Sequence, residues 1–208
     1  MKSVRIFYRK EGLLRYVSHL DMNRLFTRLF RRADLPLWYT EGFNPRPRIQ
    51  FALPLSLGFE SDSEIVDVRL DDDAFPNEEV LARLQAAAPK GLTLLRAADP
   101  VRKPGEVAFA RFLLTMPVPE GVDAFFDQEQ ILCEKKTKKG DSKTVNIRPL
   151  IRDWKQTDGG LLLTLTAGTD NLNPTLVLDA MSGFFGRPVT ASRVRRVALL
   201  DAEGKDFV

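Results

Sequence analysis

Val17-Ser18-His19-Leu20-Asp21-Met22-Asn23-Arg24-Leu25-Phe26-Thr27-Arg28-Leu29-Phe30-Arg31-Arg32-Ala33, residues 17–33, decides how the chain is read. Met22, Leu25, Phe26, Leu29, Phe30 and Ala33 recur at helical spacing and gather on one face, so the segment is an amphipathic helix with one side meant for a sheet. Ser18 stands where an N-cap belongs, Asp21 completes an aspartate version of the capping box, and Val17 and Met22 are placed for a hydrophobic staple.

Upstream, Val4, Ile6 and Tyr8 alternate with Arg5, Phe7 and Arg9, the pattern of a half-buried strand. Downstream, Asp34 and Pro36 end the helix, Leu37 to Tyr39 read as extended, and Ile49, Phe51 and Leu53 resume the alternation. Pro54 and Gly58 stop that strand; Glu64 to Leu70 form another, Asp71 to Asp73 a turn, Asn77 to Ala88 a helix and Leu92 to Arg96 a last strand. The order β-α-β-β-α-β predicts a ferredoxin-like arrangement, with two helices on one face of an antiparallel sheet and the other face open. On such a face Arg5, Phe7 and Arg9 would make an RNA-binding platform.

The order is expected to recur after Pro100 to Gly105, which reads as a linker. Ala110 to Met116 is a strand, Val122 to Gln130 a short helix and Ile131 to Lys135 a strand. Arg152 to Gln156 and Leu161 to Ala167 flank the hairpin signal Asp158-Gly159-Gly160, Asn173 and Pro174 open a helix that runs to about Phe185, and Val189 to Leu199 closes the chain. The fold class is therefore α+β, with tandem ferredoxin-like halves over residues 1–103 and 104–208.

Composition narrows the chemistry. The single cysteine, Cys133, rules out an internal disulfide, and with one histidine, His19, the chain has no His/Cys zinc cage; Cys133 reads as a buried, inert thiol. No cofactor and no metal site is expected. Walker, G-x-G-x-x-G and G-x-S-x-G sequences are absent. No apolar run reaches the roughly 20 residues of a membrane span, and the start leads straight into a strand, so the expectation is an untargeted cytoplasmic protein.

Charge is unevenly spread. Residues 1–50 hold eleven Lys/Arg against four Asp/Glu, whereas residues 51–100 hold four against ten. Either the first segment attracts an anion, or the two segments neutralise each other in the fold. On the helix, Arg24, Arg28 and Arg31 fall within about 60° of one another, opposite the apolar face, and Arg32 flanks them. The loop Tyr39-Thr40-Glu41-Gly42-Phe43-Asn44-Pro45-Arg46-Pro47-Arg48 is stiffened by two prolines and would present Arg46 and Arg48 at low entropic cost. Phe43 is expected first as a core residue of that turn and second as a stacking surface for a base. Ser18 and His19 open the helix, where free N–H groups favour an anion. His19 suits acid–base work by residue type, but the helical wheel sets it near Phe26 and Phe30, so a packed, hydrogen-bonded histidine is expected; Asp21 is accounted for by capping and a pair with Arg24. A lysine-rich tip lies at Lys135 to Lys143.

The runs Leu14-Arg15-Tyr16-Val17-Ser18-His19-Leu20-Asp21, Arg31-Arg32-Ala33-Asp34-Leu35-Pro36, Gly42-Phe43-Asn44-Pro45-Arg46-Pro47 and Phe51-Ala52-Leu53-Pro54-Leu55-Ser56-Leu57-Gly58 resemble the bacterial radical-SAM-associated domain of unknown function, with Asn146 to Ile151 a weaker echo. The resemblance implies an accessory role beside a radical SAM partner, in RNA modification; Cys133 alone holds no iron–sulfur cluster, so the radical chemistry would belong to the partner chain. The leading expectation is a non-catalytic module that binds RNA or another phosphorylated ligand through Ser18, His19, Asp21, Arg24, Arg28, Arg31, Phe43, Asn44, Arg46 and Arg48. One alternative is an RNA-processing enzyme of the pseudouridine-synthase or CRISPR-endoribonuclease kind, with Asp21 as nucleophile or His19 as acid–base. The other is a protein-interaction scaffold.

Overall fold

The alternation at residues 4–9 becomes strand β1 (Lys2–Lys10), and the amphipathic segment becomes helix α1 (His19–Arg32). They open a computed structural model that describes residues 1–136 and 142–208, in two compact units: residues 1–107 with 206–208, and residues 108–205. The first unit continues with β2 (Ile49–Phe51), β3 (Glu60–Leu70), α2 (Asn77–Ala87) and β4 (Leu92–Ala98). Its strands lie in the order β4-β1-β3-β2, each antiparallel to its neighbour.

Register decides which side chains meet. Val4 pairs with Val68 and Ile6 with Val66, while Ile49 and Phe51 take the other edge of β3 opposite Val68 and Val66. Val4, Ile6, Tyr8, Val66, Val68 and Leu70 are buried with Met22, Phe26, Leu29 and Phe30 of α1 and with Val80 and Leu84 of α2. At about 1.5–3 kcal/mol for each large apolar side chain removed from water, this layer is what holds the helices to the sheet. The helix ends also cap each other: Arg32 donates to the Ala87 carbonyl at 2.5 Å, and Arg83 donates to the Asp34 carbonyl at 2.8 Å. β3 starts four residues before the sequence reading places it, because Glu60 and Ser61, both buried, break the apolar alternation that marks a strand.

On the opposite face of β1 the expected open platform is closed at Arg5. Arg5 is completely buried; its Nε and Nη2 donate to the Asp67 carboxylate at 2.8 Å each, Nη2 also to the Arg102 carbonyl at 2.7 Å, and Nη1 to the Val208 carbonyl at 3.0 Å. The Phe207 ring lies 5.2 Å from its guanidinium carbon. Arg96 stands 4.0 Å over Phe7, and Arg9 reaches Asp62 at 4.0 Å. Arg5 is thus sealed within the unit and Arg96 covers Phe7, while Arg9 keeps about half of its side chain exposed.

The second unit comprises β5 (Phe109–Thr115), α3 (Val122–Phe126), β6 (Leu132–Lys136), β7 (Ser142–Asn146), β8 (Ile151–Thr157), β9 (Gly160–Thr166), α4 (Pro174–Phe185) and β10 (Arg193–Leu200). Within it the order is β10-β5-β9-β8, again antiparallel throughout. The strand expected at residues 131–135 is not part of this sheet: β6 pairs with β7 in a separate hairpin. The Asn146 side chain closes its base by accepting from Ile131 N at 3.0 Å and from Arg148 N at 3.1 Å. Asn173 caps α4 by accepting from Thr175 N at 3.0 Å, and Cys133 is buried. Residues 137–141 of the lysine-rich tip lie outside the described residues. Among those described, no helix is long and apolar enough to cross a membrane.

Two stability tests follow from this architecture. Asp67→Ala leaves the buried Arg5 guanidinium without its counter-ion and should cost about 3 kcal/mol in denaturant unfolding. Gly160, at φ +137°, lies where a Cβ would run into the Leu114 carbonyl oxygen; Gly160→Ala should lose more than about 2 kcal/mol by the same measurement.

Candidate functional site

The N-terminus of α1 forms as its sequence dictates. Ser18 has extended backbone, its hydroxyl accepts from Asp21 N at 3.2 Å and donates to the Asp21 carboxylate at 2.7 Å, and Arg24 donates to the other carboxylate oxygen at 2.9 Å. These two hydrogen bonds, from Ser18 and then Arg24, hold the Asp21 carboxyl below its ordinary range. His19 is not the packed, hydrogen-bonded histidine that the helical wheel suggests. It is an exposed residue whose ring meets Phe51 edge-on at 5.0 Å, with no hydrogen-bond partner among the described residues.

The loop after α1 is a pinned hairpin. Trp38 N donates to the Arg69 carbonyl at 2.9 Å, Thr40 N to the Arg46 carbonyl at 2.9 Å and Arg48 N to the Trp38 carbonyl at 3.4 Å; Arg46 N donates to the Thr40 hydroxyl at 3.1 Å, and Tyr39 and Pro47 form a bridge. Glu41 to Pro45 are left as the exposed tip. Gly42, at φ +119°, supplies the backbone turn that an L side chain resists. Phe43 is fully exposed at this tip, which overturns its expected place in the core: the paired backbone on both sides holds the tip away from the apolar layer. Asn44 is exposed beside it.

The candidate residues divide between two faces. Phe51 meets Phe26 of α1 at 5.6 Å, so Ile49 and Phe51 face the helix, and by strand alternation Arg48 and Gln50 face away from it. Arg46 is exposed across the hairpin from Thr40. Arg48 and Gln50 line a small cleft with Ser3, Asp67 and Arg69, and Arg69 lies 5.4 Å over the Trp38 ring. Arg24 and Arg28 stand on the exposed side of α1, and Arg31 reaches the Tyr39 ring at 5.9 Å. Arg48 is thus not on the wall that Arg24 and Arg28 share. Trp38, Gln50 and Arg69 join the loop group without a motif that marks them; the alternation Arg48-Ile49-Gln50-Phe51 is the signal that places Gln50 beside Arg48.

The acidic segment does not neutralise the candidate arginines. Glu60, Asp62, Asp67 and Asp99 pair with Arg15, Arg9, Arg5 and Lys2. Arg28, Arg46, Arg48 and Arg69 have no carboxylate partner among the described residues. The molecule is an α+β protein of antiparallel sheets whose first unit carries a pinned, arginine-flanked loop with a bare aromatic at its tip. The chain belongs to the family described as "uncharacterized protein conserved in bacteria (DUF2344)", whose model matches residues 3–174 and so takes in every candidate residue. No curated protein matches the chain.

Ser18→Ala should remove about 1 kcal/mol of stability and move the Asp21 pKa up toward the ordinary carboxylate value, followed by carboxyl NMR titration. Because the folded-state pKa is depressed, the capping contribution is complete at neutral pH and fades as pH falls through that depressed value. In Ser18→Ala this acid-linked loss should shrink.

Proposed function

We propose that this protein is a non-catalytic accessory module, built of two ferredoxin-like halves and working in the cytoplasm, that binds RNA through the loop at residues 39–48 and serves a radical SAM partner. The observation that carries the reading is Phe43, fully exposed on a pinned loop and followed by Arg46 and Arg48, neither with a carboxylate partner among the described residues. An aromatic held in water at a fixed position stacks on an unpaired base, and guanidinium groups beside it take the phosphates on either side. Trp38 and Arg69 extend the same face, and Arg28 with the Arg31–Tyr39 contact offers a second cationic surface along α1. Support for the two halves is the repeated order of strand pairing, β4-β1-β3-β2 and β10-β5-β9-β8, with a helix after the first and third strand of each. The radical SAM partner and the cytoplasmic setting rest on the family resemblance of the first seventy residues and on the sequence pattern. Of the two residues in the enzyme alternative, Asp21 is held by Ser18 and Arg24, while His19 is exposed and contacts Phe51.

A second reading, a protein-interaction surface, draws on a different observation. Leu13, Tyr16, Leu20 and Leu57 are all more than half exposed, and the segments that carry them are tied by the Gly58 N to Arg15 carbonyl hydrogen bond of 2.7 Å.

Binding of a labelled tRNA pool, measured by anisotropy across a salt series, separates the two. Phe43→Ala should weaken binding by about 1–3 kcal/mol, and Arg46→Ala with Arg48→Ala should flatten the salt slope by about 1.4, roughly 0.7 for each lost single-strand phosphate contact. Absence of tRNA binding, or binding indifferent to salt and to all three changes, overturns the RNA reading; a protein partner that is pulled down after nuclease treatment and lost on Leu13→Ser with Leu57→Ser would take its place.

A further inference from the structure

Strand register sets two arginines against each other in the first unit. Ile49 pairs with Val68 and Gln50 with Asp67, and Arg69 N donates to the Arg48 carbonyl at 3.2 Å, so Arg48 and Arg69 are cross-strand neighbours on the face away from α1. Across the other edge of β3 the same rows continue: Ser3 stands opposite Arg69, and Arg5 opposite Asp67. Ser3, Arg48, Gln50, Asp67 and Arg69 line one open cleft of about 90 Å³. Asp67 is the one carboxylate among its lining residues, and Arg5 donates to both of its oxygens at 2.8 Å. Neither Arg48 nor Arg69 forms an ion pair with it, with Asp71 just beyond β3, or with any other acid among the described residues. Like charges directly opposite each other destabilise a strand pair, and an anion between them removes that repulsion. Arg69 is also held in place: its guanidinium lies 5.4 Å over the Trp38 ring, and Trp38 N donates to the Arg69 carbonyl at 2.9 Å.

We infer that this cleft binds a phosphomonoester, its phosphate taken between the Arg48 and Arg69 guanidiniums, with the Ser3 hydroxyl and the Gln50 amide as uncharged donors. A phosphomonoester carries about −1.5 to −2 charges at pH 7 on three terminal oxygens, which matches two unpaired guanidinium forks. An internal phosphodiester carries a single charge and leaves one arginine unmatched. At about 90 Å³ the cleft lies well below the roughly 300 Å³ at which sites for whole small molecules begin, so it takes the phosphate and leaves the rest of the ligand outside. This deepens the RNA-binding reading and rests on it for one point, the source of the phosphate: the end of a strand, where a free phosphorylated molecule would offer the same chemistry.

The first probe is adenosine 5′-monophosphate, titrated into the full chain at low salt and followed by two-dimensional amide NMR, with adenosine and dimethyl phosphate as controls. The monophosphate should shift the amides of residues 3, 48–50 and 67–69 and bind about fivefold more tightly than dimethyl phosphate, while adenosine leaves those amides unmoved. Arg48→Gln should weaken the monophosphate by about tenfold and hold or raise the thermal midpoint, because it removes a like-charged neighbour. The second probe is a short single-stranded RNA with a 5′-phosphate, a 3′-phosphate or hydroxyls at both ends, followed by anisotropy. One of the phosphorylated ends should bind about fivefold more tightly than the hydroxyl form, and Arg48→Gln should erase the difference. Cleft shifts with the monophosphate but no RNA binding would keep the phosphomonoester site, assign it to a free phosphorylated molecule and remove the RNA reading. RNA that binds while the monophosphate leaves the cleft unmoved at about 20 mM would overturn the site and leave the RNA reading standing. Equal binding of monophosphate and dimethyl phosphate, or a folded Arg48→Gln that binds the monophosphate like the parent, would also overturn it.

Discussion

A guanidinium with no exposed surface must find every partner inside the protein, and Arg5 does so by drawing Asp67, the Arg102 carbonyl and the Val208 carbonyl to one point between β1 and β3. The bidentate pair fixes the register in which Val4 meets Val68 and Ile6 meets Val66, and that register puts the apolar halves of both strands under α1 and α2. A slip by one residue would bury Phe7 among the helices and leave Arg5 without a counter-ion. The pair is not a source of large net stability, since desolvation offsets most of its attraction; its effect is to make alternative pairings costly.

That same pair explains how the uneven charge of the chain is spent. The acidic second quarter of the sequence folds into β3 and its flanks, beside β1, so its carboxylates meet the cations of residues 2–15. None of these four carboxylates forms an ion pair with an arginine of α1 or of the pinned loop among the described residues. Neutralisation holds for Lys2, Arg5, Arg9 and Arg15, whereas Arg28, Arg46 and Arg48 stay in water with no carboxylate partner among the described residues. Guanidinium groups left in water on a stiff backbone are available to a ligand without prior loss of an internal partner.

Much of this was legible in the residues. The period-3.6 face from Met22 to Ala33, the Ser18 cap with Asp21, the strand alternation of Val4, Ile6 and Tyr8 and the Asp158-Gly159 turn are each set by neighbours a few positions apart, and each appears where the pattern puts it. Less legible were the places where polar residues are buried. Glu60 and Ser61 concealed the start of β3, and Asn146 gave no sign that it would close a hairpin outside the main sheet. Within the candidate site, the stiffness of the loop could be read from Pro45 and Pro47, but the exposure of Phe43 could not, because nothing local distinguishes an aromatic aimed at solvent from one aimed at a core.

The sequence by itself determined the helices, most strands, the cap and the turn, because periodicity, capping and glycine or proline stereochemistry act over one or two turns of chain. Only the tertiary structure decided which arginines are sealed and which are free, and that Arg48 turns away from α1. Those outcomes depend on residues far apart in sequence meeting across strand registers, and a buried charge acquires its partner through that meeting and not from its neighbours along the chain.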